Sequence, residues 1–140
     1  MYKKIPDAFS IICDLKSSRS EIINTDILRF IKYSVLNDSY HIFINEFENP
    51  IGYIVWANVN RETIQKIYRT GAYPMFPYEW REGKIFLVID AMMDLKINST
   101  CYLQLKKLLK NKRALFYKNK GKNRLYVRKT KIYRQAINIA

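Results

Sequence analysis

The sequence predicts an α+β fold, with helices flanking one mixed, mainly antiparallel sheet in the order α-α-β-β-α-β-α-β-β. Three observations predict it. Two apolar β-branched runs, 51–57 and 85–89, flank a segment of helical periodicity. Strand-like runs separated by turn residues occur twice, within 40–57 and within 114–127. Apolar stripes at helical spacing occupy most of the remaining chain.

In chain order, residues 7–16 read as a short helix with Phe9, Ile12 and Cys13 close to one face. Ser17-Ser18-Arg19-Ser20-Glu21 is a polar break. Asn24, Thr25 and Asp26 are cap candidates for a second helix over 26–36, whose stripe is Ile27, Leu28, Phe30, Ile31, Val35 and Leu36. Tyr40 to Phe47 and Ile51 to Ala57 form an antiparallel hairpin, with Glu48-Asn49-Pro50 as its turn. A third helix opens at Asn60, puts Ile64, Ile67 and Tyr68 on one face and ends at Gly71. Pro74 and Pro77 make 71–80 a rigid loop, and a strand over 84–90 follows. Five consecutive apolar residues, Ile85 to Ile89, fit a strand buried on both faces. A fourth helix carries Tyr102, Leu103, Leu105, Leu108 and Leu109 inward and Lys106, Lys107 and Lys110 outward. Strands over 114–117 and 124–127, joined by a turn at 118–122, complete the sheet.

Composition bounds the function. With 140 residues the chain is expected to be a single domain, 1–140, and 49% hydrophobic residues exclude disorder as the default. No apolar run is long enough for a transmembrane helix, the start is too weak for a secretory signal, and the cytoplasm is the expected location. Cys13 and Cys101 lack metal-ligand spacing and are expected to be reduced structural thiols, so no metal and no bound cofactor is expected. Residues 1–94 are near neutral in charge, whereas 95–140 contain no acidic residue and supply the whole excess of +13. That asymmetry points to an acidic or polyanionic partner for the C-terminal third.

The most informative stretch runs from Pro50 to Asp90. A Pro-initiated strand carries Trp56-Ala57-Asn58, Glu79-Trp80 and Gly83 follow, and the last strand ends in Asp90. Singly, Trp56 and Trp80 are ordinary core aromatics and Asp90 an ordinary cap. In this order and spacing the segment resembles the toxin-activating lysine acyltransferases, the hemolysin-activating family that fatty-acylates repeat-in-toxin proteins. The resemblance covers about 45 residues well. It implies an acetyltransferase-like (GNAT-like) fold, a catalytic Asp90, and Trp56, Asn58 and Trp80 shaping the substrate site.

Acyl transfer to a lysine amine requires a base to take a proton as nitrogen attacks a thioester carbonyl, and donors for the developing oxyanion. In the resembled family a histidine upstream of the Trp-Ala-Asn element works with the aspartate. Its place falls here on Ser20 or Glu21, and no histidine lies there. Three readings stay open. Glu21, the better base, or Ser20 stands in. Alternatively the only histidine, His41, which shares a strand face with Phe43, approaches Asp90. Or the chain acts with a partner subunit or with altered chemistry. A Cys101 nucleophile is weaker, because no base is identifiable beside it.

The resemblance also implies acyl-acyl carrier protein as donor. Lys106, Lys107, Lys110, Lys112 and Arg113 at a helix end, with Lys118, Lys120, Lys122 and Arg124 on the final hairpin, suit docking of that acidic carrier. The acceptor is expected to be a co-produced protein toxin or peptide, and the family's tendency to dimerise allows a homodimer. A first alternative is maturation of a small antibacterial peptide (a microcin) with a non-fatty group, as one part of a two-protein complex. A second is a basic nucleic-acid-binding module, in which Phe116, Tyr117, Tyr126 and Tyr133 stack bases. No zinc, RNA-recognition or helix-turn-helix signature supports that second alternative.

Overall fold

The computed structural model of the chain describes residues 5–18, 24–74, 77–92, 99–112, 114–119 and 122–127. Its elements are α1 (Ile5–Ser18), α2 (Thr25–Leu36), β1 (Tyr40–Ile44), β2 (Pro50–Val59), α3 (Arg61–Thr70), a 3-10 turn (Pro77–Trp80), β3 (Ile85–Met92), α4 (Ser99–Leu109), β4 (Ala114–Asn119) and β5 (Lys122–Val127). The predicted order holds throughout, and the 3-10 turn lies where the sequence predicts a rigid loop. The strands form one five-stranded sheet in chain order, β1-β2-β3-β4-β5. β1 pairs antiparallel with β2, β3 parallel with β4, and β4 antiparallel with β5, so the sheet is mixed. Residues 128–140 lie outside the described residues, as do Lys120 and Gly121 of the expected turn. No described helix is long and apolar enough to cross a membrane.

The described residues fall into two compact units, drawn from 1–55 with 90–110 and from 56–89 with 111–140. In the first unit, α1 buries Ala8, Ile12 and Lys16, one i, i+4 stripe. The expected face is therefore rotated: Phe9 and Cys13 are only half-buried. Asn24 caps α2, its side chain accepting a bond from the Ile27 amide at 2.8 Å. The buried face of α2 is Phe30, Ile31, Ser34 and Val35, while Leu28 and Leu36 stay 41% and 52% exposed. β1 stops at Ile44, three residues before the sequence predicts. The cause is Asn45, whose Oδ1 accepts bonds from the Phe47 and Asn49 amides at 2.9 and 3.0 Å and pulls the chain into a turn. Phe47 consequently leaves the strand and is exposed. α4 packs on β1. Cys101 is fully buried, the expected Leu105, Leu108 and Leu109 are half-buried, and Tyr102 and Leu103, expected inside, are exposed.

In the second unit, α3 is capped by Asn60 at its start, the side chain accepting from the Thr63 amide at 2.9 Å. It ends at Gly71, in the left-handed region at φ 71°, whose amide donates to the Ile67 carbonyl at 2.8 Å. Tyr68 packs edge-on against Phe116, and burial raises its phenol pKa above the ordinary value. Ile85, Phe86 and Leu87 of β3 are buried, as a two-sided apolar run requires. The strand does not end at Asp90, as the sequence suggests; it continues through Ala91 to Met92.

Candidate functional site

Asp90 belongs to β3 with its side chain 18% exposed, a position that is unfavourable for a carboxylate unless it is paired. Two donors converge on its Oδ2. The Lys16 ammonium of α1 lies 2.9 Å away, and the Tyr53 hydroxyl of β2 donates at 2.6 Å. Oδ1 accepts the Ala91 backbone amide at 3.1 Å and, among the described residues, no other bond. One oxygen of the carboxylate is thus fixed by a charge-assisted pair and a phenol. The other is left with a single local bond and capacity to accept a second.

Each partner is placed by its element. Lys16 continues the buried Ala8–Ile12 stripe, so the helical period turns it inward, and its side chain is 7% exposed. Tyr53 lies in the continuously buried run of β2, its ring in the core and its hydroxyl on the carboxylate. Sequence reasoning misses both residues. The available signal for Lys16 is a lone cation four residues after Ile12 on an apolar helix face. Tyr53 gives no such signal inside its apolar run.

The remaining expected site residues are placed as follows. Ser20 and Glu21 lie outside the described residues. Trp56 is 7% exposed and stacked on Phe86, ring centroids 4.8 Å apart. Trp80 is fully buried, and its indole N–H donates to the Pro74 carbonyl at 3.2 Å. Asn58 is half-buried, with its carbonyl accepting the Gly83 amide at 3.2 Å and its backbone bridging to Arg81. The structure thus ties the Trp56 strand to the Gly83 turn through backbone bonds within one unit.

His41 is held elsewhere. Its Nε2 lies 3.0 Å from the Gln104 Oε1, and its ring meets Phe43 edge-on with centroids 4.9 Å apart. Gln104 in turn donates to the Ile44 carbonyl at 2.9 Å. This is a satisfied sheet histidine tying α4 to β1, and no bond between it and Asp90 is found. Lys106 and Lys107 on α4 and Lys110 just past its end are exposed, with Lys106 over the Tyr102 ring at 5.3 Å. Lys112 lies 5.5 Å from the Phe86 ring centroid. Lys118 is in β4, Lys122 and Arg124 are in β5, and Arg113 and Lys120 lie outside the described residues.

Neither cysteine is in a disulfide. Cys101 is fully buried, and burial, reinforced by the neighbouring Asp14 charge, pushes the Cys13 thiol above its ordinary pKa. A raised pKa lowers the thiolate fraction at neutral pH, and the thiolate is the reactive form. Iodoacetamide at pH 7.5 is therefore expected to label Cys13 several-fold more slowly than a free peptide thiol, and Cys101 only after denaturation. Timed intact-mass measurement checks this, and rapid double labelling of the native chain would contradict it.

The mixed five-stranded sheet, the helices in this order and a half-buried acid on the middle strand make this an α+β protein, compatible with the acetyltransferase-like class. The family model of the RTX toxin acyltransferases matches residues 13–134, and the chain belongs to that family. No curated protein matches it.

Proposed function

We propose that the protein activates a co-produced toxin or peptide by moving an acyl group from acyl carrier protein to a lysine side chain of the acceptor. The observation that carries the reading is the family match over 13–134; Asp90, held at one carboxylate oxygen by Lys16 and Tyr53, supports it. The acceptor amine attacks the thioester carbonyl, a base removes the ammonium proton, and collapse of the tetrahedral intermediate expels the carrier thiol. Asp90, held at Oδ2, uses Oδ1 to orient the base or to assist proton removal. Glu21 is the base, with Ser20 lining the site beside it. Trp56, Asn58 and Trp80 act in substrate binding by bracing the backbone of their own unit.

The acidic carrier docks through the cations Lys106, Lys107, Lys110, Lys112, Arg113, Lys120, Lys122 and Arg124. Leu103, 63% exposed one helical turn before Lys106 and Lys107, supplies the apolar anchor that such a contact needs. The reaction takes place in the cytoplasm, by a single 1–140 domain acting as a homodimer or with a partner subunit.

A second reading is favoured by one observation, the absence of histidine at 20 and 21. In it the chain matures a microcin, the transferred group is not fatty, and a partner protein completes the site. The basic C-terminal third also keeps nucleic-acid binding as a distant third reading.

The test is the intact mass of the neighbouring toxin or peptide, co-expressed with the native protein or with Asp90→Asn. The expected result is a mass increment that vanishes with the variant while circular dichroism shows the variant folded. The size of the increment names the group, separating a fatty acyl chain from the microcin reading. An unmodified product with native protein, even with the adjoining partner gene product supplied, refutes transfer.

A further inference from the structure

The torsion that turns an aspartate's carboxylate about its stem is broad and two-fold, so the side chain does not fix its own plane. At Asp90 the two groups on Oδ2 differ in what they can fix. Lys16 brings its ammonium to 2.9 Å on a flexible stem, a compact charge with rotatable donors that attracts a carboxylate from many directions. Tyr53 brings one O–H to 2.6 Å, within the range of charge-assisted bonds from hydroxyl to carboxylate. Its ring cannot follow a moving partner, because the residue is 0% exposed in the core and sits in the ladder opposite Ile42 of β1. β2 neighbours β3 in the sheet, so this donor reaches Asp90 from the adjacent strand, whereas Lys16 reaches it from a helix.

We infer that Tyr53 is a positioning residue of the transfer, its phenol setting the direction of the Asp90 carboxylate while Lys16 chiefly compensates the charge. What Asp90 does rests on the acyl-transfer reading; the division between phenol and ammonium comes from the geometry alone. A misdirected carboxylate slows the chemical step and leaves the binding of donor and acceptor as it was. Loss of the ammonium instead leaves a half-buried carboxylate without its cation, which lowers stability first.

The experiment compares the native chain with Tyr53→Phe and Lys16→Met, using hexadecanoyl-acyl carrier protein as donor and the neighbouring toxin or peptide as acceptor, with product followed by intact mass. Phenylalanine keeps the ring in the core, and circular dichroism reports whether both variants fold. Tyr53→Phe should lower kcat about tenfold or more and leave both KM values within about threefold. At a temperature where both variants are folded, Lys16→Met should lower kcat less than Tyr53→Phe does, although it melts at the lower temperature. In a chain isotope-labelled at its aspartate carboxyl carbons, the NMR resonance missing from Asp90→Asn should move in Tyr53→Phe. A folded Tyr53→Phe variant with the native kcat, a loss confined to KM, or a greater kcat loss in Lys16→Met overturns the inference and leaves the acyl-transfer reading in place. No transfer by the native chain removes that reading and the positioning role with it, whether or not the resonance moves.

Discussion

Gly83→Ala is expected to destabilise the protein by about 3 kcal/mol or more, the loss associated with overpacking that cannot relax. A Cβ at position 83 would stand 2.0 Å from the Val59 carbonyl oxygen, 2.1 Å from its carbon and 2.4 Å from the Asn60 nitrogen. These are backbone atoms, so no side-chain rotation relieves the clash. Moving them would disturb the end of β2 and the Asn60 cap of α3, and would strain the Gly83 amide bond to the Asn58 carbonyl. The melting temperature should fall by about 10 °C or more for a chain of this size. Gly71→Ala is the comparison. Gly71 has φ 71° but open space around it, so only the left-handed backbone penalty of about 1 kcal/mol applies. Thermal denaturation of both variants decides the matter, and a Gly71→Ala loss as large as that of Gly83→Ala would show that the close approach is not what constrains position 83.

Lys16→Met should cost about 3 kcal/mol, because it keeps the buried stem and removes the cation from a mostly buried carboxylate. The value belongs at the lower end of the range for buried pairs, since the Asp90 side chain keeps 18% of its exposure and the Tyr53 hydroxyl. A double-mutant cycle isolates the interaction. Lys16→Met combined with Asp90→Asn should lose about 1–3 kcal/mol less than the sum of the single losses. Strict additivity in urea denaturation would mean that the pair contributes no coupling. Lys16→Met should also reduce the product mass increment at permissive temperature if Oδ2 anchoring is what aims Oδ1.

How much of this was legible beforehand depends on the kind of information each feature needs. The helix caps at Asn24 and Asn60, the Gly71 stop and the buried β3 run are local, since propensity, period and backbone sterics act within a few residues. The element order followed from them, whereas the family came from the resemblance carried by the Pro50-to-Asp90 segment. Phe47 and Tyr102 were misjudged because a single turn residue, Asn45, and the rotation of α4 about its axis override an average pattern. The site itself resisted reading for a different reason. Asp90 meets Lys16 from 74 residues away and Tyr53 from 37, and the sequence holds no record of which distant donors will share an oxygen.

The sequence by itself determined the elements, their order and the one-sided charge, because these are sums over neighbouring residues. Only the tertiary structure decided that Lys16 lies inside, that one oxygen of Asp90 is saturated while the other keeps capacity, and that His41 is engaged by Gln104. Such choices follow from packing. Burying a charge is favourable only where a partner with the right geometry is already in place, and that place is set by elements remote in the chain.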